Sequence, residues 1–234
     1  MSQFIPSPEK PPMTMQVGMM ASNGVVLASD TKCSRDALNS DGLVADDSYG
    51  CSKIRIDDSG QIAVTCARDM IAATKVADAL MSELKPELWE NPEQSIREIG
   101  RNVMATVGKN LEIECLIGLA KPVPTLYKFQ YVQDGAQIVC DRIPTFAHTG
   151  HALNAAIFWS LCHYRKEPIK NLMALASILV VDAAQLNSAR IGGLELVYAD
   201  ESGFHRVPLT ENERMEREAK RRSERIARQV MKPL

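Results

Sequence analysis

The chain has 234 residues, 45% apolar and 24% charged, ordinary globular usage that excludes a wholly disordered or collagen-like chain. Its formal charge of −2 gives the whole molecule no basic footprint for nucleic acid, although the last 25 residues carry eight Lys/Arg against five Asp/Glu. No apolar run reaches the roughly 18–20 residues of a membrane span; the longest, Leu172 to Val181, falls short, and the opening MSQFIPSPEKPP lacks the apolar core of a secretory signal.

Residues 1–13, with their prolines, read as a flexible lead-in. MQVGMMA and VVLASDT then flank Ser22-Asn23-Gly24, a strong hairpin signal. Residues 33–50 are polar and turn-rich and are expected to form a long loop. A second hairpin follows, with Ile54 and Ile56 before the Asp58-Ser59-Gly60 turn and QIAVTCA after it. Helical periodicity begins near Arg68, with Ala73, Val76, Ala77, Leu80 and Leu84 on one face. Asn91-Pro92 opens a second helix striped by Ile96, Ile99, Val103, Val107 and Leu111.

Strands return as ECLIGLA, TLYKFQYV and AQIVCDRI. Two apolar helices are predicted over roughly 151–165 and 169–187, then a hairpin of GGLELVYAD and FHRVPL. Thr210 to Glu213 is a capping box opening a charged terminal helix. Strands joined by tight turns imply antiparallel sheets, and helices arriving in pairs argue against alternating βαβ winding. The expected architecture is therefore α+β: two stacked antiparallel sheets with helices outside, without an interdomain linker.

The six cysteines form no CxxC pair and no zinc-spaced cluster with histidine. They point to a reducing, cytoplasmic setting, to thiols packed as small hydrophobes, and to neither metal nor cofactor. GxSxG, HExxH, GxxxxGK[ST] and GxGxxG are all missing. A Ser-His-Asp triad would need His148, His151, His163 or His205, and no signature marks which.

The informative segment is Thr14 to Lys32, TMQVGMMASNGVVLASDTK. Val17-Gly18, Gly24 to Ala28 and Asp30 follow Thr14 in ungapped register, and Lys53-Ile54 comes after the long loop. This pattern resembles the opening of proteasome-type β subunits and bacterial proteasome homologues, N-terminal nucleophile hydrolases. The resemblance implies a four-layer αββα sandwich over 14–209, with residues 1–13 as lead-in or propeptide and 210–234 as an appended helix. It implies a threonine peptidase with Thr14 as nucleophile, Lys53 as the ammonium that lowers the Thr14 amine's pKa, and Asp30 as its partner. Thr65 aligns with the backbone oxyanion donor, and Cys33, Ser34, Ala63 and Ala67 with small substrate-pocket positions.

The implied partners are peptide or unfolded-protein substrates and further copies stacked as rings, with neither nucleic acid nor membrane. An ATP-dependent unfoldase is left open. A non-catalytic subunit of the same fold, or a small-molecule amide hydrolase, are the alternative functions. Thr149-Gly150 is followed by His151 where the family often has Ser, and Ser188 to Ile191 lack its supporting Asp and Ser.

Overall fold

The computed structural model describes residues 14–38, 44–107, 111–132, 137–150, 162–188 and 191–230, with 34–38 and 44–48 described by backbone alone. Seven strands come first: β1 (Met15–Ala21), β2 (Gly24–Ser29), β3 (Lys32–Leu38), β4 (Val44–Gly50), β5 (Ile54–Ile56), β6 (Ile62–Thr65) and β7 (Ala67–Arg68). Helices α1 (Met70–Glu83) and α2 (Pro92–Thr106) precede β8 (Ile113–Leu119), β9 (Thr125–Val132), β10 (Gln137–Arg142) and β11 (Phe146–Gly150). Helix α3 (Ile169–Leu186), β12 (Glu195–Asp200), β13 (Gly203–Arg206) and helix α4 (Leu209–Val230) complete the described chain.

The strands form two main antiparallel sheets. One runs β11-β1-β2-β12-β13 and the other β10-β9-β8-β6-β5, with β7 pairing β8. Two elements depart from expectation. Residues 33–50, expected as a loop, contribute a separate ribbon of β3 and β4, with Cys33 opposite Tyr49. Residues 146–150 form a further strand, β11, paired with β1; FAHTG is too short and polar to show alternation. The predicted helix over 151–165 falls largely outside the described residues, with His151 in it.

Alternation along the strands sorts side chains into three apolar clusters. In β2, Val26 and Ala28 join Met15, Val17 and Met19 of β1 against Leu172, Ala176, Leu179 and Val180 of α3. Val25 and Leu27 face the other way, meeting Ile54, Ala63, Leu116 and Leu126 of the second sheet. In β8, Leu116 points into that cluster between the sheets, while Ile113, Cys115 and Ile117 pack on α1 and α2. Helix α3 is 18 residues long and apolar enough to cross a membrane by composition, but its packing on β1 and β2 marks it as a core helix. Helix α4 lies on the same apolar cluster through Met215 and Ala219.

Side chains cap the starts of α1 and α2. Asp69 caps α1 by accepting the Ala72 N–H, and Asn91 caps α2 by accepting that of Gln94. Helix α2 approaches its sheet at Gly100, where an added Cβ would lie 2.5 Å from the Phe129 ring. Phe129 is fully buried there. Phe129→Ala should therefore cost about 3–5 kcal/mol of unfolding free energy, measured by urea denaturation.

Candidate active site

The site lies where an end of each main sheet approaches the other. Asp30 directly follows β2, and the β1–β2 register sets Ser29 opposite Gln16. Asp30 is thereby held beside the start of β1: its N–H donates to the Met15 carbonyl at 3.0 Å, and its Oδ1 accepts the Met15 N–H at 3.0 Å. Lys53 directly precedes β5 of the second sheet. Its Nζ donates to Asp30 Oδ2 at 2.8 Å and to Thr14 Oγ1 at 3.1 Å. Thr14, Asp30 and Lys53 are thus brought together by one ammonium, at 6%, 0% and 2% exposure.

Electrostatics at this point is a contest between burial and pairing. Burial pushes the Asp30 carboxyl above the usual carboxylate range, and the Lys53 ammonium with its hydrogen bond pulls it back. Burial likewise lowers the Lys53 pKa, and Asp30 opposes that fall. The result is a desolvated cation aimed at a hydroxyl. An ammonium in that position stabilises an alkoxide developing on Thr14 Oγ1 and lowers the pKa of any amine formed beside it.

A second set of residues shapes the opposite side of Thr14. Gly150 ends β11 opposite Met15 and has φ +84°. A Cβ there would sit 2.1 Å from the Thr14 carbonyl oxygen, so this close approach requires glycine. The Gly150 N–H donates to Glu114 Oε2 at 2.7 Å. Glu114 also accepts from Gln130 Nε2 at 3.1 Å and pairs with Arg68 at 3.5 Å. Arg68 has φ +72°, a conformation that non-glycine residues seldom adopt. Glu114 has a legible signal that was missed: it is a lone acid inside the apolar run IECLIGL, and such an acid needs partners.

The remaining expected site residues lie on β3, β6 and β7. Thr65 ends β6 opposite Ile54, and its side-chain Oγ1 accepts the Leu116 N–H at 2.9 Å. Ala63 is fully buried in the cluster between the sheets. Ala67 is fully buried opposite Glu114. Cys33 is joined to Cys51 in a disulfide rather than presenting a free thiol. Ser34 lies on β3 opposite Ser48, and its side chain lies outside the described residues. A concavity of about 310 Å³ opens just after Asp30, lined by Thr31, Lys32, Tyr49, Gly50, Gly192 and Gly193.

One cluster elsewhere has the residue types of a serine triad without its geometry. At the β12–β13 turn, His205 Nε2 lies 2.7 Å from Ser202 Oγ and 3.1 Å from Asp200 Oδ1. Serine and carboxylate compete for one ring nitrogen, whereas a relay needs both nitrogens. The Ser202 N–H and hydroxyl donate to Asp200 and hold its carboxyl down at about 2, which marks a turn-stabilising network.

No protein-family model and no curated protein sequence matches the chain. Solved structures do share its fold. The Anbu complex of Pseudomonas aeruginosa, determined as a helical assembly, superposes with a TM-score of 0.68 at 15% identity, covering 94% of this chain and 98% of that one. Anbu (ancestral beta-subunit) of Yersinia bercovieri gives 0.67 at 16% identity with the same coverage. These neighbours correct the assignment to proteasome-type β subunits and bacterial proteasome homologues: the likeness is to Anbu, a distinct family with a related fold. In this chain the motif from Thr14 to Lys53 encodes the β1–β2 hairpin and the buried ion pair.

The pair predicts a pH-dependent penalty when one charge is removed. Asp30→Asn leaves the Lys53 ammonium buried without a counter-charge, which should cost about 3–5 kcal/mol. The folded-state Lys53 pKa then falls further below its unfolded value of about 10.4, so the unfolded chain binds more protons between the two values. Stability of Asp30→Asn should therefore recover as pH rises through that window. Urea titrations of both proteins between pH 6 and 10 check this.

Proposed function

We propose that the chain, in a form whose first residue is Thr14, hydrolyses amide bonds as a threonine-type peptidase. The observation that carries this reading is the single Lys53 ammonium bonded to both Thr14 Oγ1 and Asp30 Oδ2 in a buried setting. We also take the two sheets, with α1 and α2 on one and α3 and α4 on the other, as the four-layer αββα sandwich of N-terminal nucleophile hydrolases.

The proposed chemistry follows from the Thr14 hydroxyl being a weak nucleophile. A free Thr14 α-amine has an intrinsic pKa of about 7.7–8, lowered by the nearby Lys53 charge, and accepts the Oγ1 proton as Oγ1 attacks the substrate carbonyl. Lys53 stabilises the developing charge on Oγ1. The amine returns the proton to the departing substrate nitrogen, leaving an ester on Oγ1. Water, activated by the same amine, cleaves that ester and regenerates the hydroxyl. With Met13 attached the Thr14 nitrogen is an amide and has no such basicity.

The form beginning at Thr14 should hydrolyse short peptide amides, and Thr14→Ala should abolish turnover per folded molecule while costing about 1–3 kcal/mol of stability, because it removes an acceptor of the buried Lys53 ammonium. A chain that retains residues 1–13, verified by intact mass, should be inactive. Equal turnover in the retained form would sink the amine-base chemistry.

We further propose self-association. It is supported by the fold shared with an Anbu complex determined as a helical assembly. Light scattering should give a mass several-fold above that of one chain. A stable monomer at micromolar concentration would instead favour a small-molecule amide hydrolase.

A further inference from the structure

The head of Lys53 is fixed by Asp30 and Thr14, but its root lies on weak ground. Lys53 stands at the entrance to β5, which has three residues and is the edge strand of its sheet. An edge strand has ladder partners on one side only, so its outward N–H and C=O groups need other acceptors and donors. The Lys53 carbonyl is satisfied from the sheet side by the Cys66 N–H at 2.9 Å.

On the open side, two residues of the other sheet close the edge. Glu195, the first residue of β12, accepts the Lys53 N–H at 3.0 Å and the Ile54 N–H at 3.3 Å on Oε2. Its Oε1 accepts the Ser52 hydroxyl at 2.7 Å. Arg206, the last residue of β13, is ion-paired with Glu195. Arg206 also donates to the Ile54 carbonyl at 2.7 Å and to Ser52 Oγ at 3.1 Å. Glu195 is only 5% exposed. The carboxylate–guanidinium pair thus takes the place of a missing neighbour strand across residues 52–54.

The placement ties Lys53 to the strand that leads to Asp30. Glu195 is the register partner of Ser29, the residue immediately before Asp30. Lys53 is therefore anchored to the end of β2 at two points: its ammonium through Asp30 and its backbone through Glu195. A lysine side chain has roughly 2 kcal/mol of rotamer freedom, so holding its head in register demands a fixed root. Neither Glu195 nor Arg206 touches Thr14 in the bonding described, so both act through Lys53.

We infer that Glu195, braced by Arg206, is a positioning residue that sets the reach of Lys53 toward Thr14 Oγ1. This inference rests on the proposed role of Lys53, and one of its two readouts is independent of turnover. The first is the titration of the Lys53 ε-carbon, followed by NMR in the full chain labelled with ¹³C-lysine. In Glu195→Ala the edge opens to water, so the Lys53 midpoint should move back toward the ordinary lysine value. The second is kinetics of the form beginning at Thr14. There kcat should fall on the order of a hundredfold with KM within about twofold, as expected when a reacting group is displaced by about 1 Å. Glu195→Gln keeps one acceptor for the Lys53 N–H and should give intermediate values in both readouts; it carries the test if the alanine variant does not fold. A wild-type Lys53 midpoint in a folded Glu195 variant would overturn the inference. So would a lowered melting temperature with kcat per folded molecule unchanged. If the wild-type form shows no turnover, the reading of the site fails, and the NMR midpoint still decides the Glu195 question.

Discussion

The ion pair between Lys53 and Asp30 is the constraint around which the two sheets meet. Both partners are withdrawn from water, and charges so placed lose several kcal/mol of hydration each. That loss is offset only if every remaining hydrogen-bonding position finds a partner. Asp30 goes part of the way by also accepting the Met15 N–H, and Lys53 by placing a second of its three N–H donors on Thr14 Oγ1. The β1–β2 register is bound to this arrangement. A slip of one residue would turn Val25 and Leu27 outward and carry Asp30 away from the start of β1. A well-packed apolar pair at such a site is often as stable as an ion pair or more so. Stability by itself therefore does not explain two charges here, and a hydroxyl as the third partner gives them an object.

The first sheet's hairpin was legible because its signals are local. Ser22 and Asn23 make the turn, Gly24 already pairs with Ala21, and the apolar runs on either side fix which faces are buried. The same holds for the buried faces of α1 and α2 and for the Asn91 cap, although Val107 and Leu111, read as part of the α2 stripe, lie beyond its end at Thr106. What escaped depends on contacts made far along the chain. Strand β11 exists because β1 offers it a free edge, and FAHTG carries no alternation of its own. The β3–β4 ribbon arises from polar segments whose pairing composition does not announce. The Cys33–Cys51 disulfide joins two thiols 18 residues apart that looked no different from their neighbours.

The site shows the same division. Thr14, Asp30 and Lys53 were found because their spacing matches a pattern, although each alone is an ordinary strand-end residue. Glu114 and Glu195 were passed over, yet both are acids set inside apolar strands, and both prove to be hydrogen-bond hubs. A buried acid in a strand is costly unless satisfied, so its presence alone forecasts a network, though not the partners. Small residues carry no comparable signal. Small size at Ala63 answers to close packing between two sheets, and only the packed structure distinguishes that from an opening. Residue types mislead equally at Asp200, Ser202 and His205, where triad chemistry is spelled out and the geometry withholds it.

In the proposed chemistry, these networks leave little for the site to rearrange when Thr14 becomes the first residue. The ammonium already reaches Oγ1, and the Thr14 carbonyl is already pressed against Gly150, whose N–H is held by Glu114. Lys53 is fixed at head and root, so its field at Oγ1 does not await substrate. Preorganised charge of this kind needs no reorganisation at the moment of reaction, which is where such sites derive most of their effect. The missing component is a base, and an amide nitrogen at Thr14 does not supply one. Cleavage before Thr14 would change a single group from non-basic to basic inside a frame already assembled. On this argument the ion pair between the sheets prepares the hydroxyl, and the covalent state of one nitrogen decides whether that preparation is used.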